Sequence, residues 1–549
     1  MNGDRSAVRL LLQKKADVNA PQADGATALQ WAAYRDDLEL ADLLISAGAN
    51  PKTPNREGAT AMQLATLHGS VAMMDKLLNA GADVNERGVN GETLLMFAAR
   101  NGSLEALNLL LKRGVDVNAK ESLRGTTALM WAVEQKHTDA VKLLIAHGAD
   151  VNVASGPDSK GGTAYLAPNV QQRAEQEVFF RQRRAQAKEA AAKDPAKDQA
   201  AADAAAAAAA FGVVRNTKGG GLTSLVLAAR EDSLECAQIL IAAGAVVNQT
   251  TRYGWTALLT AVQNKHYKLA AYLLDHGADP NIANNGGWTP LYIAVDNRNI
   301  EGGDYPVRQP DMDHLDFIKL LLNHGANVNK RICGVDSRPQ RCKGDSTETR
   351  TIFTMQWLYE DGATPFLRAA QSGDVTVMKL LLERGADPKL ATANGDTALM
   401  VAAGIGWVDG VTFEWSPAEN LEAVKMCLDL GIDANTADGD GRTALHGAAH
   451  KGRNDVVRLL VDRGAKLDPR DKGSRDTFTG ALQGHTWMPI DYSRGLVRVG
   501  VQSAIAHPDT EALLKMLMEE RGIPVPPPTN ASICITDVCK GPGVDAPPK

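Results

Sequence analysis

The sequence holds few side chains whose type and spacing could do chemistry. His446 and His450 are four residues apart on one predicted helix, a spacing that lets two imidazoles bind one metal ion, but no third ligand accompanies them. The motifs of serine hydrolases, P-loop nucleotide-binding proteins, HExxH metalloproteases and CxxC redox proteins are all absent from the sequence. We therefore expect a protein without catalytic activity, a metal site or a cofactor.

Two sets of polar and aromatic residues could still converge after folding. Both lie where the sequence is irregular, so that insertions could build a pocket around them. They are His485, Asp491 and Tyr492 in one stretch, and Trp407, Glu414 and Trp415 in the other. An enzyme with such a pocket is the less favoured alternative to a binding protein.

The six cysteines divide by their surroundings. Cys236 and Cys427 lie in helical, apolar patterns, which indicates buried thiols. The other four form two local pairs in irregular segments, and these pairs are the disulfide candidates: Cys333 with Cys342, and Cys534 with Cys539. Disulfides would favour a periplasmic or extracellular location over the cytoplasm, whereas free loop thiols are the alternative.

The elements that would position any site repeat with a fixed period. A glycine recurs just before a helix start, at intervals of 33 or 34 residues within each uninterrupted stretch. Such self-similarity is typical of stacked units built from two helices and a turn. The glycines are Gly25, Gly58, Gly91, Gly125, Gly221, Gly254, Gly287, Gly362, Gly395 and Gly441.

Residues 24–50 show why each unit should fold as a helix pair. Gly25 suits a turn that needs positive φ, and Thr27 is a suitable N-cap for the first helix. Leucines at helical spacing give the second helix a buried face, and Gly48 can end it in the left-handed conformation.

These patterns resemble the ankyrin repeat, most clearly in residues 91–120 and 441–468. The resemblance implies an all-α solenoid of stacked ankyrin repeats, each a helix-turn-helix with a β-turn finger. We count about twelve units, of which the first is incomplete and the last is degenerate. Since residues 8–12 would carry an uncovered apolar face, we expect the natural chain to begin further upstream with an export signal.

The resemblance also indicates where a partner would bind, because residues beside the turn glycine and on the first helix tend to contact partners in this family. Carried onto this chain, those turn positions include Tyr253, Trp255 and Trp288, although the rings could instead bury themselves against neighbouring turns. One first-helix position holds Trp31, Phe97 and Trp131, which would either pack internally or line a concave apolar groove.

Several segments interrupt the period. We divide the chain into an N-terminal block (1–152), a helix-prone insertion rich in alanine and charge (153–219), a C-terminal block (220–522) and a proline-rich tail (523–549). Smaller insertions fall near 301–314, 330–360, 407–418 and 472–485. Segments 153–219 and 330–360 should leave from the turn edge, and 301–314 and 407–418 from the helix–helix edge.

Composition narrows the possible partners. The net charge of −6 and the pI of about 6.0 argue against a general nucleic-acid binder, and no apolar run is long enough to cross a membrane. We therefore predict a monomeric scaffold or binding module for a protein or peptide. A structural or regulatory subunit of a cell-envelope assembly is the alternative.

Overall fold

The computed structural model describes residues 5–156, 220–299, 309–332, 362–407, 412–472, 486–495 and 505–527. Within these ranges the regular structure is helical, and the one extended pairing is an isolated antiparallel bridge between Arg87 and Thr93. A lone helix, Arg5–Gln13, is followed by helix pairs that stack side by side. The predicted all-α solenoid is confirmed.

We call the lone helix unit 1 and number the pairs as units 2 to 12. The pairs are Ala28–Tyr34 with Leu38–Ser46, Ala61–Leu67 with Val71–Asn79, Leu94–Asn101 with Leu104–Lys112, Ala128–Glu134 with Thr138–Ala146, Ser224–Glu231 with Leu234–Ala242, Ala257–Gln263 with Tyr267–Asp275, Pro290–Arg298 with His314–Asn323, Pro365–Gln371 with Val375–Glu383, Ala398–Ala403 with Pro417–Asp429, Ala444–Lys451 with Asn454–Asp462, and Pro489–Ser493 with Pro508–Glu520.

The ends of the helices follow the local chemistry that the sequence predicts. The side chain of Thr27 accepts a hydrogen bond from the backbone N–H of Gln30 and so caps the first helix of unit 2. Gly25 has a φ of +84°, and a Cβ there would lie 2.9 Å from the backbone nitrogen of Arg56. Glycine is therefore required at this turn both by its conformation and by the close approach of the next finger.

Small residues on the first helices let neighbouring units approach closely. Ala32 and Ala33 are fully buried, and Leu40 and Leu44 of the second helix pack into the same core. One continuous layer of buried apolar side chains runs through the stack, and each fully buried leucine contributes about 1.5–3 kcal/mol. First helices contact one another more closely than second helices do, which puts the first-helix layer on the inside of the curve.

The stack continues across residues 157–219. In unit 5, Asn118 donates to the carbonyl of Gly148, and Asn152 donates in the same way to Gly244 at 3.1 Å on the far side of this segment. The backbone N–H of Ser155 donates to the carbonyl of Leu222, and the N–H of Gly221 donates to the carbonyl of Ser155. The chain therefore leaves and returns at one finger. The helix-prone character that we predict for residues 153–219 concerns residues outside the described ranges.

The shorter interruptions follow two routes. Ile332 and Gly362 share a finger, since the N–H of Gly362 donates to the carbonyl of Ile332 at 2.7 Å. Asp471 and Trp487 are joined similarly, as the N–H of Asp471 donates to the carbonyl of Trp487 at 3.0 Å. Residues 300–308 and 408–411 instead fall between the two helices of units 8 and 10. The segments near 330–360, 301–314 and 407–418 therefore leave the stack from the edges that the repeat predicts.

Candidate protein-binding surface

One position on the first helix, six residues after the turn glycine, forms a ridge along units 2 to 5. It holds Trp31, Leu64, Phe97 and Trp131, all of which are half-buried. The rings of Phe97 and Trp131 meet edge to face, with centroids 6.1 Å apart, although they belong to different units. The ridge is therefore continuous between units 4 and 5, while part of each side chain still faces solvent.

Polar groups hold some of these rings in place. The indole N–H of Trp131 donates to the hydroxyl of Thr126 at 2.8 Å, and the guanidinium of Arg100 lies 5.8 Å from the Trp131 ring centroid. Arg35 lies over Trp31 in the same way at 5.7 Å. Both proposed roles of these residues, packing and surface display, are thus compatible with their placement.

The same position is closed in units 6, 8, 9 and 10, whereas unit 7 has the half-buried Thr260 there. Leu227, Ile293 and Val401 are buried there, and the residue in unit 9 is Arg368, which is 8% exposed. Arg368 donates to a carboxylate oxygen of Asp296 at 2.7 Å and is held inside the stack. A run of half-buried apolar side chains at this position is therefore a property of units 2 to 5.

The turn aromatics differ in exposure, even Trp255 and Trp288, which hold equivalent places in adjacent units. Tyr253 and Trp255 are half-buried, whereas Trp288 is only 4% exposed and packs edge to face on Tyr292 with centroids 5.0 Å apart. Burial of Trp288 removes most of the surface that a partner could contact. Tyr253 and Trp255 retain surface, and their role in binding stays a prediction.

Two apolar fingertip residues were not anticipated from the sequence. Val89 is 74% exposed and Leu123 is 60% exposed, and both stand two residues before a turn glycine in adjacent units. A cavity of about 430 Å³ opens beside Val89, between the fingers of units 3 and 4. An apolar residue at a turn tip, where polar residues are usual, was the signal that could have identified them.

The two histidines are buried, and His446 bonds to the backbone of its own helix start and of the next unit. Nδ1 of His446 accepts from the backbone N–H of Thr443 at 3.0 Å, and Nε2 lies 3.2 Å from the carbonyl of Trp487. Burial lowers the pKa of both His446 and His450 to about 4. Across the described ranges no group of three or more His, Cys, Asp or Glu side chains is placed to hold a metal ion.

The first of the sets that could have formed a catalytic pocket instead fastens the last unit. Tyr492 is buried and its hydroxyl donates to Asp471 at 2.7 Å, and burial raises its pKa well above the usual value. Asp491 accepts from the backbone N–H of Met488 and pairs with Arg494. His485 lies outside the described residues.

The second set anchors the segment that precedes the second helix of unit 10. Glu414 forms ion pairs with Lys451 at 3.0 Å and Arg453 at 2.8 Å. The indole N–H of Trp415 donates to the side chain of Asn299 at 2.8 Å, while Trp407 lies under the ammonium of Lys451. Each of the three residues thus contacts a side chain of unit 8 or unit 11.

The cysteine predictions are settled only in part. Cys236 and Cys427 are free and buried, as expected. The four disulfide candidates lie outside the described residues. No helix in the described ranges is both long and apolar enough to cross a membrane.

Comparison with known families agrees with this architecture. A model of ankyrin repeats (3 copies) matches residues 1–88, 76–155, 200–284 and 225–332, which together span more than half of the chain. A model of ankyrin repeats (many copies) matches residues 418–461, and a model of the single ankyrin repeat matches 361–393.

A solved structure, the crystal structure of the human ASB11 ankyrin repeat domain, is 19% identical with a TM-score of 0.36. The alignment covers 55% of this chain and 99% of that one. The family models match repeat after repeat along the helix pairs described above, and the chain belongs to the ankyrin-repeat family.

Proposed function

We propose that this protein is a non-enzymatic binding module that holds a segment of a partner protein along units 2 to 5. Ankyrin repeats are in general protein-interaction modules, so a protein partner follows from the family. The observation that carries the location is the half-exposed ridge of Trp31, Leu64, Phe97 and Trp131. Four successive units present an apolar side chain at one position without closing over it.

Two features support binding at this face over a purely internal role. Large aromatic residues that are partly desolvated, and rigid because they pack on neighbours, are enriched among residues that dominate binding energy. The exposed side chains of Tyr34 and Leu67, at 52% and 41%, extend the apolar area toward the C-terminal ends of the first helices. Val89 and Leu123 extend it toward the fingers.

We also propose that the protein is monomeric and that it does not bind nucleic acid. The negative overall charge disfavours nucleic-acid binding. Tyr253 and Trp255 would extend the surface into unit 7 for a longer partner. Nothing in the described ranges favours a cell-envelope subunit or an enzyme over this role.

A selection from a random peptide library displayed on phage tests the proposal. The full chain is the bait, and the affinity of each enriched peptide is then measured by fluorescence anisotropy. The variant is Trp31→Ala/Trp131→Ala. The control is Tyr272→Ala, which removes a half-buried aromatic side chain from the second-helix layer.

We expect enriched peptides to bind the double variant at least about 30-fold more weakly, the loss typical of hot-spot residues, and to bind the control as they bind the wild type. Circular dichroism should show that all three proteins are equally helical. If enriched peptides bind the double variant and the wild type equally, the ridge is not the binding site. If the library yields no enriched peptide, the protein is not a peptide-binding module.

A further inference from the structure

We infer that the segment this surface fits is acidic, with aromatic or large apolar side chains between its carboxylates. The inference rests on the proposed function and adds the chemistry of the partner. It follows from the arginines that border the apolar ridge, from the absence of direct ion pairs at these arginines, and from a segment of this chain whose ring and carboxylate contact arginines.

The C-terminal ends of the first helices carry one set of cations. Arg35 and Arg100 are exposed, and their guanidinium groups lie over Trp31 and Trp131 at 5.7 and 5.8 Å from the ring centroids. A guanidinium stacked on an indole ring still presents its N–H groups at its edge. These arginines are therefore held in position to receive a carboxylate that approaches the ridge.

The fingers carry the second set. Arg56, Arg87 and Arg124 are exposed and lie in the turns of units 3, 4 and 5. Arg87 is oriented by a hydrogen bond from its Nη1 to the carbonyl of Gly91 at 3.0 Å. The ridge thus runs between arginines at the fingers and arginines at the helix ends.

None of these five arginines forms an ion pair with a carboxylate elsewhere in the described part of the chain. The second-helix layer of the same units differs, because Lys76 pairs with Asp42 at 2.7 Å and Arg113 with Asp75 at 3.5 Å. These two cations of the outer layer are thus paired directly with carboxylates of the chain, whereas the five arginines of the first-helix face form no such direct pair within the described residues.

Acidic side chains on the first-helix face keep their charge, but the chain itself supplies donors to most of them. Most of them are already engaged by hydrogen bonds or by an ion pair, and the exposed Glu57 is the exception. The engaged carboxylates are Asp24 with Ala26, Asp36 with Ser70, Glu86 with Thr60, Glu92 with Asn90, and Glu134 with Arg230. Because these carboxylates are held by donors of the chain itself, the groups beside the ridge that remain open to a partner are mainly the N–H groups of the arginines.

The chain binds one acidic and aromatic segment of its own. Residues 413–415 have the sequence Phe-Glu-Trp, and the guanidinium of Arg298 lies 4.4 Å from the ring centroid of Trp415. The carboxylate of Glu414 pairs with Arg453 at 2.8 Å. Stacking of an arginine on an aromatic ring beside a carboxylate–arginine pair is the arrangement that we assign to the partner on units 2 to 5.

Three peptides of about 15 residues test the inference. The first repeats Phe-Glu-Trp separated by Gly-Ser, and the others replace each Glu by Gln or by Lys. Binding is followed by fluorescence anisotropy from about 0.01 M to about 0.15 M ionic strength, over which the Debye length falls from about 30 Å to about 8 Å. The variant is Arg35→Gln/Arg100→Gln, and Lys76→Gln/Arg113→Gln is the matched control with two cations removed from the second-helix layer.

We expect the Glu peptide to bind at least about tenfold more tightly than the Gln peptide, and the Lys peptide to bind most weakly. The Arg35→Gln/Arg100→Gln variant should lose this preference and most of the salt dependence, while the control keeps both. Equal affinity for the Glu and Gln peptides, or equal effects of the variant and the control, would overturn the inference.

The two proposals can fail separately. If library-selected peptides require Trp31 and Trp131 but are neutral or basic, the acidic partner is refuted and the binding function stands. If the Glu peptide binds the Trp31→Ala/Trp131→Ala variant with the same affinity as the wild type, charge attraction alone accounts for binding and the aromatic ridge does not recognise the peptide. Both proposals are then refuted for this site.

Discussion

Replacement of His446 by glutamine is expected to reduce the acid sensitivity of unit 11 without loss of its structure at neutral pH. The chain itself supplies the precedent for this substitution, because Gln30 occupies the equivalent position in unit 2. Its Oε1 accepts from the backbone N–H of Thr27 at 2.8 Å, and its Nε2 donates to backbone carbonyls of the next finger. His446 makes the same kinds of contact with Thr443 and Trp487.

The size of the effect follows from the pKa of the buried imidazole. Burial lowers the pKa of His446 to about 4, whereas its value in the unfolded chain is about 6.5. Below pH 6.5 the unfolded chain gains a proton that the folded chain does not bind until about pH 4. The free energy of unfolding therefore falls as the pH falls through this window, by about 1.2 kcal/mol between pH 7 and pH 5.5.

Hydrogen exchange is the suitable assay, because unfolding of a repeat array is not a single two-state transition. Opening free energies of amides in Ala444–Lys451 are compared at pH 7 and pH 5.5 after correction for the intrinsic pH dependence of exchange. The wild type should lose about 1.2 kcal/mol more opening free energy than His446→Gln. Because His450 is present in both proteins, both should remain partly acid-sensitive. The exposed His147, replaced by glutamine, is the control. Equal losses in the wild type and His446→Gln would refute the reasoning.

Two other predictions concern packing in the C-terminal units. Gly447→Ala should destabilise unit 11 by about 1–3 kcal/mol, because the added Cβ would lie 2.6 Å from the backbone nitrogen of Ile405. Hydrogen exchange measures this change. Stabilisation of the helix, as expected for alanine in an open helix, would contradict the contact. The thiol of Cys427 should resist maleimide in the native protein and react after denaturation, because burial raises its pKa to about 12. Rapid labelling of the native protein, detected by peptide mapping, would show instead that the thiol is accessible.

The contrast between the two ends of the array has a consequence for where specificity can reside. In units 2 to 5 the first-helix face is open and carries aromatic and arginine side chains. In units 8 to 11 the equivalent positions are buried, and Arg368 is committed to Asp296. Substitutions at equivalent positions should therefore alter binding in the N-terminal units and stability in the C-terminal ones.

The repeat, the helix pairs and their ends could be predicted from the sequence because each depends on local chemistry. Positive φ at Gly25, the cap at Thr27 and the helical spacing of the leucines are set by residues within one turn or one helix. The same local rules apply in every unit, so repetition strengthened the prediction of the fold and of the edges from which the insertions leave.

Exposure was decided only by the tertiary structure. Trp255 and Trp288 occupy equivalent places in adjacent units, yet one is half-buried and the other is 4% exposed against Tyr292. The position of Trp31 is likewise open in unit 2 and closed in unit 9, where Arg368 fills it. In a solenoid a side chain is covered by the neighbouring units and insertions, and these differ along the chain even where the repeated residues correspond.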